Sequence, residues 1–242
     1  MLERGTITHG DLPHWFMPGA AHFVTYRLAD TLPGDVLQRL RSERDARLRQ
    51  PAPEGMSAAE HRSRQHKAYF AAYDEYLDRV SSVHWLETPA VAQIIVGNLY
   101  HHHASKYQLL EYVVMPSHVH VLLVPIVADA ASVGLIARAP AQSDGYYSGE
   151  VEDAKSPLSK IMHSLKSYTA NEANRVLGRE GRFWQKESYD HWVRNDTELA
   201  RIAEYICQNP VKAGLVANAW DWPYGSARDR KFPRTLALPE WW

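Results

Sequence analysis

Two apolar runs, Tyr107 to Met115 and His118 to Val124, are separated only by Pro116-Ser117. Both are rich in β-branched and aromatic residues, which fit a pleated, half-buried backbone. A break of this size leaves no room for a crossover helix. The two runs therefore form a hairpin or a sharply bent pair, and the fold around them must contain an antiparallel sheet.

The flanking segments extend that sheet. His22-Phe-Val-Thr-Tyr-Arg-Leu28 reads as a strand ending before Pro33-Gly34, and Ser188 to Val193 as a short one. Asp35 to Arg49 reads as a helix with Val36, Leu37, Leu40 and Leu48 inward and arginines outward. Ser57-Ala-Ala-Glu60 is a capping box that opens a second helix to about Ser81, and Thr88-Pro89 opens a third to about His102. Ser156-Pro157 opens a long helix that ends near Gly178, and Asp196 to Gln208 is a further helix that Asn209-Pro210 is expected to stop. The order β, α, α, α, β, β, α is an α+β pattern, with helices packed on a mainly antiparallel sheet. Residues 1–19, with Gly5, Gly10, Pro13, Pro18 and Gly19, read as an irregular lead-in. Residues 126–156, carrying Asp129, Asp144, Glu150, Glu152 and Asp153, read as a mobile acidic loop.

Composition narrows the function classes. Hydrophobic residues are 45% and charged residues 23% of 242, so a core is available and a wholly disordered chain is excluded. The 27 Lys and Arg nearly balance 28 Asp and Glu, so nucleic-acid binding would have to come from local patches. One cysteine, Cys207, rules out an intrachain disulfide and suits a reducing compartment. The first residues lack the apolar stretch of a secretory signal, and the most apolar window, Val119 to Ala128, is too short to span a bilayer. The expectation is a soluble, cytoplasmic protein with no membrane partner.

On a strand, His118 and His120 point to one face while Val119, Val121 and Leu123 point to the other. Two imidazoles at that spacing can hold one divalent metal. On the long helix, Leu158, Ile161, Leu165, Tyr168 and Glu172 fall on one stripe, which predicts that a phenol and a carboxylate face the sheet. A carboxylate buried there unpaired is costly, and a metal on His118 and His120 would offset it. These are parts for phosphoryl transfer. The metal polarises a phosphate oxygen, Tyr168 attacks phosphorus, and Lys166 or the metal favours the ionised phenol. The product is a phosphotyrosine link and a free 3′ hydroxyl, and rejoining is the reverse attack with no nucleotide cofactor.

Met115-Pro-Ser-His-Val-His, Leu165-Lys-Ser-Tyr-Thr-Ala170, Phe183-Trp-Gln185, Tyr189-Asp-His191 and Asn209-Pro-Val-Lys-Ala-Gly-Leu215 occur in that order. Together they resemble the REP-associated tyrosine transposases, relatives of the single-tyrosine transposases with a His-hydrophobe-His motif. The likeness runs from about His22 to Trp222. It implies a ferredoxin-like α+β catalytic domain that cleaves and joins single-stranded DNA at short palindromic hairpins, with Mg²⁺ or Mn²⁺ bound. By that resemblance His118 and His120 are metal ligands and Tyr168 is the nucleophile. The third ligand is Glu172, with Asn171 and Asn174 as alternatives. Ser117 stands where many relatives have Asn. The expected organisation is a lead-in over 1–19, a catalytic domain over 20–194, and a helical extension with a basic tail over 195–242, acting as a monomer or a homodimer.

The DNA surface is expected from Lys160, Arg175, Arg182, Gln185 and Lys186, together with Arg228, Arg230 and Lys231 of the tail. Trp184, Trp192 or Trp222 would stack exposed bases. His101-His102-His103 reads as a surface cap on its helix. Two other readings are a non-cleaving module that binds structured single-stranded nucleic acid, and a metal phosphoesterase that uses water.

Overall fold

The structure, a computed structural model, describes residues 6–9, 13–79, 81–127 and 156–231. Strands β1 (Thr6–His9) and β2 (Pro13–Phe16) pair antiparallel. The lead-in expected to be irregular therefore contains a small hairpin, whose β-branched and aromatic positions supply the strand propensity. The acidic loop expected over 126–156 lies almost wholly outside the described residues.

The main sheet is formed by β3 (His22–Arg27), β4 (Tyr107–Val114), β5 (His118–Pro125) and β6 (Tyr189–Trp192). Its spatial order is β4-β5-β3-β6, and each adjacent pair is antiparallel. With the two central strands being first and third in chain order, this is the ferredoxin-like arrangement. Pro116-Ser117 makes the expected hairpin between β4 and β5, closed by Met115 N–H donating to His118 O at 2.8 Å. No helix among the described residues is long and apolar enough to cross a membrane.

One face carries α3 (Pro89–His101) and α4 (Pro157–Leu177). Val91, Ile95 and Leu99 of α3 and Leu158, Ile161 and Leu165 of α4 share a core with Val119, Val121 and Leu123 of β5. Burying each such side chain contributes about 1.5–3 kcal/mol. The ends of α4 follow the sequence: Ser156 Oγ accepts from Ser159 N–H at 3.1 Å, and Gly178 closes the helix at φ 61°.

The other face carries α2 (Ala58–Arg79) and the extension helix α5 (Asp196–Lys212). Phe70 of α2 and Ile202 and Ile206 of α5 pack on Phe23 and Leu122 of the sheet. The helix α1 (Gly34–Leu48) lies against α2 and fully buries only Leu40. Pro210 does not stop α5, which continues for two more residues. The proline forfeits one hydrogen bond, but it is buried, and Ala213 N–H still reaches Asn209 O at 2.9 Å. Packing against β4 and β5 holds the helix through it. The segment after α5 returns to the sheet edge, with Val114 N–H bonded to Tyr224 O and Tyr112 N–H to Ser226 Oγ, ahead of α6 (Ser226–Lys231).

Candidate active site

Strand alternation sends His118 and His120 to the face covered by α2 and α5, and both are fully buried. Ser117 Oγ donates to Leu77 O, so it accepts from His118 Nδ1–H at 3.0 Å. Thr25, the cross-strand partner of His120, holds that ring's Nδ1 at 2.7 Å through Oγ1. With Nδ1–H donating in each ring, a tautomer assigned from these partners, both Nε2 atoms present lone pairs. Those atoms are 3.1 Å apart.

The third member comes from α2. Asp74 Oδ1 is 3.3 Å from His120 Nε2 and 3.8 Å from His118 Nε2. Among the described residues, Asp74, His118 and His120 are the one group of three donors close enough to share an ion, all within 4.8 Å. Asp78, one turn on, is 3.8 Å from His118 Nε2. From α5, Asn209 Nδ2 lies 3.3 Å from His120 Nε2. The Tyr205 hydroxyl donates to Asp74 Oδ2, and its ring stands 5.5 Å from that of His120.

The donor set fits a divalent cation. Asp74 Oδ1, Asp78 Oδ1 and Asn209 Oδ1 are buried without a hydrogen-bond partner. Such groups cost about 1–3 kcal/mol each unless something satisfies them. Facing imidazole lone pairs repel as well, and a cation between them removes that repulsion. Imidazole and carboxylate are ordinary ligands of Mn²⁺ and, for the oxygen donors, of Mg²⁺. Burial lowers His118 to about 3 and keeps it in the neutral form a metal needs. The carboxyl of Asp74 lies below its ordinary range: burial opposes ionisation, while a proton on His120 or His118 and the Tyr205 hydroxyl favour it. Burial and the neighbouring Asp74 charge push Asp78 up to about 7. Burial, then Asp74, push the Tyr205 phenol well above its ordinary value.

Other predicted residues lie elsewhere. Tyr168 and Glu172 are on α4, which packs on the opposite face of the sheet from the histidine pair. The stripe through Leu165 faces the core, but it continues to Thr169 and Ala173, and Tyr168 and Glu172 fall on its flank. Glu172 pairs with Arg175 at 2.5 Å and lies apart from the histidine pair. Asn174 donates to Gly181 O at 2.9 Å, and Asn171 is exposed. Lys166 Nζ donates to Gln185 O and Lys186 O, bracing that loop, and burial lowers it to about 8.

The expected DNA surface is also divided. Lys160, Arg182 and Lys186 are exposed and Gln185 is half-buried. Trp184 is a core residue, 4% exposed, with Nε1 donating to Thr169 Oγ1, so it offers no stacking face. Trp222 donates to Val114 O and Trp192 is half-buried. Arg230 is tied to Glu111, Arg228 donates to Trp220 O, and Lys231 sits 3.8 Å over the Trp220 ring. His102 and His103 bond Ser164 Oγ and Leu109 N–H.

No motif in the sequence marks Asp74, Asp78 or Tyr205, and Asn209 enters only as a helix stop and the start of a motif. Each pair is spaced i, i+4, which places it on one helix face. Asn209 opens the Asn-Pro-Val-Lys-Ala-Gly-Leu motif, so the motif itself pointed to α5.

No family model matches the chain. It is 45% identical over 53 residues to a Haemophilus influenzae protein named "Putative REP-associated tyrosine transposase", covering 22% of this chain and 30% of that one. It is 36% identical over 58 residues to the "REP-associated tyrosine transposase" of Escherichia coli, covering 24% and 34%. The match thus spans about a third of each relative's length. A solved structure described as "Structure of the REP associates tyrosine transposase bound to a REP hairpin" aligns over 93% of this chain and 87% of that one, with 16% identity and a TM-score of 0.48. Over these partial stretches the chain is similar to two proteins that carry the name REP-associated tyrosine transposase.

Proposed function

We propose that the chain is a metal-dependent endonuclease and strand-transferase for single-stranded DNA hairpins, acting through Tyr205. One observation carries the reading: a tyrosine, two histidines and a carboxylate from three separate elements converge in one buried cluster. The names of the sequence relatives, REP-associated tyrosine transposases, support transposase chemistry through a tyrosine.

His118, His120 and Asp74 would hold Mg²⁺ or Mn²⁺, with Asn209 and Asp78 beside them. Such an ion would supply charge to polarise the scissile phosphate and offset the negative charge of the transition state. Asp74 Oδ2 accepts the Tyr205 hydrogen bond and orients Oη. Thr25 and Ser117 fix the two imidazole rings from behind. Oη attacks phosphorus, an Oη–P bond forms and the P–O3′ bond breaks. The phenol proton leaves along the bond to Asp74, and the departing 3′ oxygen takes a proton from water. The phosphotyrosine keeps the bond energy, so another 3′ hydroxyl can reverse the step. Lys212 brings a positive charge to the same ring, with Nζ 4.7 Å from the Tyr205 ring centroid.

The test is adduct mapping. The full chain is incubated with hairpin oligonucleotides and Mn²⁺, and the covalent product is digested and read by mass spectrometry. A nucleotide on Tyr205 is the expected outcome. Cleaved DNA with no protein adduct would place the chemistry with a water nucleophile.

A further inference from the structure

A cavity of about 420 Å³ opens beside the cluster, between α2, α5 and β6. Its size is that of a pocket for one small ligand. Asp74, Asp78, Tyr205 and Asn209 line one end. The opposite end is built differently and takes no part in the chemistry above.

That far end combines an aromatic wall with a surplus of cations. Phe70 stacks on Tyr189 with centroids 4.2 Å apart, and Phe23 meets Phe70 edge-on at 5.4 Å. The wall continues to the metal cluster, since the Phe70 ring is 6.3 Å from that of His120. At the rim, Glu198 is shared by Lys67 at 2.7 Å, His191 at 3.1 Å and Arg201 at 3.5 Å, and it also accepts Arg194 N–H at 3.0 Å. One carboxylate therefore faces two permanent cations and an imidazole. Glu198 is 7% exposed, while Lys67 and Arg201 are 41% and 67% exposed, so the unmatched positive charge lies on the solvent side. Glu75 and Arg79 also line the cavity, but they pair with each other.

An apolar ring surface beside a positive rim is the arrangement that takes a base and its phosphate together. We propose that the far end of this cavity seats one unpaired nucleotide of single-stranded DNA. Its base lies on the Phe70–Tyr189 wall and its phosphate on Lys67 and Arg201. The position of that nucleotide, next to the scissile phosphate, rests on the function proposed above; the binding of a nucleotide does not.

The experiment measures binding of dAMP, dCMP, dGMP, dTMP, 2-deoxyribose 5-phosphate and deoxyadenosine to the full chain by calorimetry, in EDTA. Without divalent metal, the phosphate cannot report on the histidine cluster. At least one nucleotide is expected to bind about tenfold more tightly than the sugar phosphate, a difference of the size a base–aromatic stack gives. Phe70→Leu is expected to remove that difference. Lys67→Gln combined with Arg201→Gln is expected to weaken every phosphate ligand about fivefold or more and leave deoxyadenosine unchanged. The proposal is overturned if no nucleotide binds at about 10 mM, or if the sugar phosphate binds the parent chain as well as the nucleotides do. It is also overturned if the charge variant matches the parent. The parent-chain comparison holds whether or not the variants fold. Adduct formation plays no part, so a failure at Tyr205 and a failure here are told apart.

Discussion

The Tyr205 ring stands 5.5 Å from the His120 ring at an interplanar angle of 61°, on the face of the sheet opposite to α4. The tyrosine on α4, Tyr168, is instead raised by partial burial and then by the neighbouring Glu172 carboxylate. Tyr205→Phe is therefore expected to reduce the rate of covalent DNA attachment by on the order of 10³-fold or more, since no other group replaces the nucleophile. Tyr168→Phe is expected to leave that rate within about twofold of the parent. A denaturing gel of labelled oligonucleotide after incubation with Mn²⁺ reads both. Equal loss in the two variants would sink the assignment.

Metal affinity separates the two carboxylates that sequence and geometry point to. Asp74 Oδ1 faces both imidazole nitrogens, whereas Glu172 is engaged by Arg175 on the far side of the sheet. A cation held only by the native chain raises its stability by about 2.7 kcal/mol at a hundredfold excess over Kd. Mn²⁺ is thus expected to raise the melting temperature of the parent and of Glu172→Gln alike. Asp74→Asn and His118→Gln should lose most of the shift. A calorimetric melt with and without Mn²⁺ decides it, and a full shift in Asp74→Asn would exclude that ligand.

The sheet and most helix ends were legible because local chemistry writes them. Pro116-Ser117 forces the hairpin, Ser57 Oγ caps Glu60 N–H at 3.1 Å, and Ser156 and Gly178 bound α4. The histidine pair was legible for the same reason, because strand alternation is a period of two. What fills the space opposite that pair depends on which helix covers which face, and the sequence does not encode this locally. The α4 stripe is apolar on a face that meets the sheet, as read, but the sheet has two faces and α4 takes the one lined by Val119 and Val121. Asp74 sits more than forty positions before the histidines, on a helix whose pattern reads as an ordinary solvated element. Asn209-Pro210 misled about the end of α5, because burial of the proline outweighed its lost donor.

Thr25 is expected to act through His120. Its Oγ1 is 2.7 Å from Nδ1, and partners of this kind fix ring orientation and tautomer. Thr25→Val keeps the shape and removes the bond. Mn²⁺ affinity should fall by about 10- to 100-fold, while the mobility of the folded protein on gel filtration stays the same. Thr25→Ser restores the hydroxyl and should recover most of the affinity. If Thr25→Val binds Mn²⁺ as the parent does, the tautomer is set by something else.

His22 makes the stability depend on pH. The ring is fully buried, with Nε2 accepting Met17 N–H at 3.2 Å and Nδ1 bonded to Ala20 O at 2.9 Å. Burial is the main cause that lowers it to about 4, against partial opposition from Asp190. In the unfolded chain it titrates near 6.5. Between those values the unfolded state carries a proton that the folded state does not, so stability rises with pH across that window. As pH falls from about 6.5 to about 4, His22 removes up to about 3 kcal/mol, and below that range it adds nothing further. Urea unfolding at several pH values in EDTA should show this slope, and His22→Asn should flatten it. An unchanged slope in the variant would assign the dependence to other groups.

Trp184 distinguishes a core role from a DNA-stacking role. It was expected to stack exposed bases, but it is buried against Tyr26, with ring centroids 4.8 Å apart, and its Nε1 donates to Thr169 Oγ1 at 2.9 Å. Trp184→Phe keeps an aromatic surface, removes the donor and leaves a void beside Tyr26. The loss of the hydrogen bond and of the filled volume is expected to cost about 1–3 kcal/mol of folding stability. Thr169 Oγ1 still donates to Leu165 O, which limits the damage to the helix. DNA affinity measured well below the melting temperature should stay within about twofold of the parent. Paired urea and fluorescence-anisotropy titrations on one preparation read the two quantities. A variant that keeps its stability and loses DNA binding would return Trp184 to the nucleic-acid surface.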